Sequence, residues 1–175
     1  EFPALFDILS VFGSQQIRNL ATFGGNLGTA SPVGDTLPVL MAYNARVVLS
    51  SSAIKREVPI DEFVVGYRKT ARRADELITA VVLPKMKNGS LVKSYKVSKR
   101  KDLDIATVSA GFRLDLNDEN MVKRIRLAYG GMAETTKRAA SVEKFLVGKT
   151  WKREVVEEAM DLLNKEFTPI ADARS

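Results

Sequence analysis

The sequence predicts an α+β fold, with a mixed α/β subdomain followed by an antiparallel sheet packed with C-terminal helices. Three observations lead there. Apolar residues recur at helical spacing near both ends of the chain. The second half instead alternates apolar and polar residues over long runs, as half-buried strands do. Between the two patterns lies the polar stretch KMKNGS (85–90), whose Asn-Gly pair signals a turn, giving expected units at 1–86 and 87–175.

Taken in order, FPALFDILSVFG (2–13) reads as a helix with Leu5, Phe6, Leu9 and Phe12 on one face and Gly13 as its stop. A side-chain-poor stretch follows. DTLPVLMAYNA (35–45) offers Asp35 as a cap and an apolar run suited to a buried helix, with Pro38 tolerated in the first turn. ARVVLSSS (45–52) is a β-branched strand, KREVPIDEF (55–63) a short strand into a turn, and ELITAVVLP (76–84) a strand closed by proline. Beyond the boundary, 91–98, 105–116 and 121–133 are strands, with NDEN (117–120) as a hairpin turn. Helices are expected over 137–148 and 152–167, covering the sheet on one side.

Composition narrows the chemistry. No apolar run approaches the roughly 20 residues that span a bilayer, so no membrane association is expected. The N-terminus carries acids and lacks the basic region of a signal peptide. There is no Cys and no His, which excludes disulfides, thiolate–zinc sites, iron–sulfur ligation and Ser-His or Cys-His nucleophiles within this sequence. Any redox centre held here is therefore an organic cofactor. The net charge of +6 raises nucleic acid as a partner, but the basic groups are short and scattered, without interleaved aromatics. No recognition motif for nucleic acid is present, so solvated faces or an acidic partner are expected instead.

The stretch QIRNLATFGGNLGTASPVGDTLP (16–38) is the candidate site. Two glycines and an Asn can deliver several backbone N–H groups to one point, and phosphates favour such donor clusters. Thr22 and Asn26 can add side-chain donors, and Asp35 a carboxylate for ribose hydroxyls. The spacing is neither GxGxxG nor a Walker motif. On spacing alone, a plain turn between helices and a phosphate cradle both stand.

IRNLATFGGNLGTASPVGDTLPVLMAYNARVVL strongly resembles the second flavin-binding segment of the molybdenum hydroxylases, and within that family it is most similar to the FAD domain or small subunit of xanthine dehydrogenases. The resemblance continues, in the family's order, through VPIDEFVVGYRKTARRADELITAVVLP, YKVSKRKDLDIATVSAGF and LAYGGMAETTKRA. It implies that Thr22, Phe23, Gly24, Gly25 and Asn26 form an FAD-contacting loop and that Asp35 contacts the same cofactor. It further implies that Phe12 packs against the adenine, that Ile78 is an apolar cofactor contact and that Lys96 lies beside the flavin. Each has a plainer reading: Phe12 and Ile78 as core, Lys96 as surface, Asp35 as a helix cap. SKRKDLD (98–104) matches a mobile loop near the flavin and NAD sites, and the glycines of YGGMAETTKRA (129–139) read as a strand-to-helix turn.

The function implied is electron transfer from iron–sulfur clusters through FAD to NAD or oxygen, in a cytoplasmic xanthine dehydrogenase-like enzyme. Molybdopterin and iron–sulfur clusters are then expected on other domains or subunits. The family's earlier Gly-rich segment, which also holds the FAD diphosphate, and its closing helix have no counterpart in these residues, and the earlier segment is expected as a partner. Two other readings stand: a flavoprotein component oxidising carbon monoxide, an aldehyde or an aromatic acyl thioester, and a non-catalytic basic binding module.

Overall fold

The computed structural model describes residues 1–100 and 104–169. Helix α1 (Pro3–Ser10) has proline at its start, where the missing N–H is no loss, and buries Ala4 and Ile8. It is shorter than expected and rotated. Phe6 is 74% exposed and Phe12 lies beyond the helix end, because Ala4 and Ile8 are the residues that meet Val39, Ala42, Tyr43 and Val92. Helix α2 (Gln15–Leu20) is an element that periodicity does not predict: it buries no side chain and so shows no apolar stripe. Its start is held by Ser14, whose hydroxyl accepts a bond from the Ile17 N–H at 3.2 Å.

The Gly-Gly pair lies in the first turn of helix α3 (Phe23–Thr29), not in a loop. Helix α4 (Thr36–Tyr43) is buried along its whole length and closes on Asn44, a residue in the left-handed region at φ +59°. Strands β1 (Arg46–Ser50) and β2 (Lys55–Pro59) lead through the single turn α5 (Ile60–Phe63) to a small hairpin, β3 (Val64–Gly66) and β4 (Lys69–Thr70). Strand β5 (Leu77–Val82) then completes an antiparallel sheet ordered β2-β1-β5. Arg56 on β2 and the buried Glu76 join across this sheet at 2.6 Å. That bond, with the Arg73 N–H, holds the Glu76 carboxyl down to about 2.

The second sheet runs β6 (Leu91–Val97), β7 (Val108–Leu116), β8 (Val122–Gly130) and β9 (Lys137–Arg138), antiparallel in that order. Helices α6 (Ala140–Leu146) and α7 (Arg153–Leu163) pack one face through Leu127, Tyr129, Val142, Leu146, Val155 and Ala159. The other face is not left to solvent, as expected, but is covered by α4. Small residues make the seat: Gly111 pairs with Ala128 and Ser109 with Gly130 across β7 and β8. A Cβ on Gly111 would fall 2.2 Å from the Pro38 carbonyl oxygen, so only glycine allows this approach. Arg126 fastens the arrangement, donating to the Met41 carbonyl at 3.0 Å, Asn44 Oδ1 at 2.7 Å and Asp61 at 3.0 Å.

Candidate functional site

A cleft of about 290 Å³ opens between the elbow that follows α1 and the start of α3. It brings together Phe12, Thr22, Phe23 and Asn26 of the expected residues, and adds Leu9, Arg18 and Thr36, which sequence reasoning missed. Thr22 caps α3, its hydroxyl accepting from the Gly25 N–H at 2.9 Å. The N–H groups of Phe23 and Gly24 belong to the first turn and have no partner inside the helix, so they form a short donor edge with the positive end of the helix behind it. Asn26 is oriented by Thr36, whose hydroxyl donates to Asn26 Oδ1 at 2.5 Å.

Neither Gly24 nor Gly25 has a positive φ. A Cβ at Gly24 would meet nothing closer than the Ile78 carbonyl oxygen at 3.9 Å, and one at Gly25 would meet Thr22 Oγ1 at 3.1 Å. The fold itself thus gives no reason for glycine at position 24, where alanine would favour the helix. Space beside a bare backbone suits a ligand that must come close to it. Ile78 lies on β5 behind these glycines, its side chain against the core, and not in the lining of the cleft.

Asp35 and Lys96 lie on the far side of the elbow as a buried ion pair, at 2.8 Å and with side chains 8% and 7% exposed. Lys96 Nζ also donates to the Val11 carbonyl at 3.0 Å. Asp35 stands at the cap position of α4, but its side chain makes no capping bond, because Oδ2 is committed to the ammonium. Oδ1 is buried with no partner. Burial pushes the Asp35 carboxyl above the ordinary range, with Lys96 working against that shift. An orphaned carboxylate oxygen calls for a hydroxyl or N–H donor, whereas the bare start of α3 is the part suited to a phosphate.

The loop that joins these parts is supported from behind. Gly131, at φ +86°, donates its N–H to the Pro32 carbonyl at 2.8 Å, and a Cβ there would fall 2.1 Å from the Thr107 oxygen. The second glycine pair therefore closes β8 against the 31–35 segment, a structural part, but the chain goes on into strand β9 and not directly into a helix as expected. Of the expected loop 98–104, residues 101–103 lie outside the described residues. At its flanks Arg100 pairs with Asp104 at 3.1 Å and holds that carboxyl down to about 2. Among the described residues no group of ligating side chains is assembled for a metal, and no helix is long and apolar enough to cross a membrane.

The cleft sets Phe12 and Phe23 beside the bare first turn of α3, a lining suited to a planar, phosphate-bearing ligand. Residues 1–86 match the family described as the FAD binding domain in molybdopterin dehydrogenase, and residues 93–175 match the CO dehydrogenase flavoprotein C-terminal domain. A xanthine dehydrogenase from Blastobotrys adeninivorans is 42% identical over 174 residues, and a nicotinate hydroxylase from Emericella nidulans 41% over 169. Those alignments take in 95% and 94% of this chain, which spans only 12% of the length of either relative. The solved carbon monoxide dehydrogenase from Hydrogenophaga pseudoflava superposes with a TM-score of 0.91 at 29% identity, over 99% of this chain and 60% of that one. The chain belongs to the FAD-binding flavoprotein family of the molybdopterin-dependent dehydrogenases.

Proposed function

We propose that this chain is the FAD-binding portion of a molybdenum hydroxylase of the xanthine dehydrogenase type. When bound, FAD supplies the one- and two-electron chemistry that links iron–sulfur clusters elsewhere in the enzyme to NAD or oxygen. The residues of this chain bind and orient it. The observation that carries the reading is the glycine at position 24, which the fold does not need and beside which the backbone is open. In this reading the first turn of α3 receives phosphate oxygens on its free N–H groups. Asn26 and Asp35 take sugar or ring polar groups. Phe12 and Phe23 offer rings to a planar one, with the adenine as the partner of Phe12. Lys96 places a positive charge beside the flavin, and Ile78 supplies apolar backing.

Oxidation of a hydroxylated purine is the substrate reading favoured by the xanthine dehydrogenase relatives. The near-equal similarity to a nicotinate hydroxylase supports a family in which the flavin portion serves several substrates bound elsewhere. A sister enzyme acting on carbon monoxide, an aldehyde or an aromatic acyl thioester has the same flavin requirement. Cytoplasmic residence belongs to the same proposal. The test is a visible flavin spectrum after desalting of the longest natural chain that contains this sequence. Gly25→Val in that chain should abolish the colour while the circular-dichroism spectrum stays native. A colourless wild type that retards nucleic acid would replace this reading with that of a basic binding module.

A further inference from the structure

Three consecutive carbonyls at the elbow after α1 each accept a bond from a cation. Lys96 Nζ reaches the Val11 oxygen at 3.0 Å, and Arg18 Nη1 reaches the Phe12 oxygen at 3.0 Å and the Gly13 oxygen at 2.7 Å. Arg18 Nη2 also donates to Gln15 Oε1 at 3.3 Å. The two cations come from different elements, α2 and β6, and meet only through this elbow. Gly13 stands at φ +51°, and a Cβ there would press on Ile17 at 3.0 Å, so the backbone has few other shapes in which it could present the same carbonyls. Phe12 is the residue in the middle, and its side chain lines the cleft with Phe23.

We infer that Arg18 is a positioning residue for the flavin cleft, acting through Phe12. A guanidinium that bonds two successive carbonyls fixes the peptide between them, and with it the direction in which the Phe12 side chain leaves the backbone. Lys96 completes the clasp from the other side and is anchored by Asp35. Ring placement to a fraction of an ångström decides how much of a planar ligand's face is covered. Without Arg18 the elbow keeps its apolar anchors, Leu9 and Ile8, but the aromatic wall of the cleft loses its fixed aim. The inference rests on the FAD reading above.

The experiment is a double-mutant cycle in the longest natural chain containing this sequence, with FAD affinity read from the fluorescence of flavin released on dilution. Arg18→Gln should weaken FAD binding roughly tenfold, the scale of one charge-assisted hydrogen bond lost from positioning. Arg18→Lys, which keeps the charge and one donor direction, should stay within about threefold of wild type. In a Phe12→Leu background Arg18→Gln should add less than about a twofold further loss, because the residue through which it acts is gone. Should Arg18→Gln not fold, Arg18→Met in the two backgrounds gives the same reading: a loss alone, none once Phe12 is replaced. Unchanged affinity in Arg18→Gln, or an equal loss with and without Phe12, overturns the inference. A wild type that binds no FAD overturns the proposed function instead.

Discussion

Gly24→Ala separates a structural glycine from one kept for a ligand. The residue occupies the first turn of α3 with an ordinary helical backbone, and the nearest atom to an added methyl group is 3.9 Å away. That distance is ordinary van der Waals contact, so the substitution brings no clash within the chain. Alanine in place of a helical glycine contributes about 0.5–1 kcal/mol, less in a first turn than in mid-helix. In a domain of this size that corresponds to a rise in melting temperature of roughly 1–4 °C. The methyl group nevertheless occupies space beside the free N–H groups where a phosphate would sit. Flavin affinity should therefore fall, by about 1.4 kcal/mol for each tenfold, and a loss of two such steps is expected from a steric block at an anion site. The paired assay is thermal unfolding of flavin-free protein and flavin release on dilution. Stability and affinity should move in opposite directions. A variant that is more stable and binds FAD as before would show that the space at position 24 is empty in the holoprotein. A variant that is less stable would show that the fold needs the glycine, and either outcome removes the observation on which the function rests.

The Asp35–Lys96 pair yields a second expectation. Asp35→Asn leaves a buried ammonium without its counter-charge and should cost about 3–5 kcal/mol in urea unfolding. Replacing both partners, Asp35→Asn with Lys96→Met, should recover most of that stability but not flavin retention; recovery of both would make the pair purely structural. A third concerns acid. Glu76 is held at about 2 in the folded chain against an ordinary 4.5, so its bond to Arg56 stabilises in full above the ordinary value. That contribution fades as pH falls towards the folded value. The melting temperature should drop between pH 5 and pH 2 in wild type, and Glu76→Gln should be less stable at pH 7 with a flatter acid limb; parallel curves would refute the assignment.

Much of the fold was legible because burial leaves a pattern. The continuous apolar run of α4 and the alternation in β6 correspond to how those elements are packed, whereas β7 and β8 are buried on both faces and follow no simple alternation. Helix α2 left no trace, since nothing on it is buried and its only signal is the cap at Ser14. Helix α3 was hidden for the opposite reason, a Gly-Gly pair that propensity rules count against a helix. The small residues of β7 and β8 concealed the seat for α4, because alternation shows which residues face inward and not what meets them. In the cleft, Thr22 and Asn26 could be found from residue types in a short stretch. Arg18 and Thr36 could not, as Arg18 acts on backbone oxygens and Thr36 on an amide ten positions away. The pairing of Asp35 with Lys96, 61 positions apart, is a product of the folded chain alone.

Helix α4 lies against β6, β7 and β8 with no residue from Thr36 to Tyr43 open to water. Its amides can therefore exchange with deuterated solvent only when the whole molecule opens, whereas those of α2 exchange through local fraying. Thr36, on α4, stands at the slow end of that contrast and Arg18, on α2, at the fast end, so one wall of the cleft is as durable as the protein and the other yields on its own.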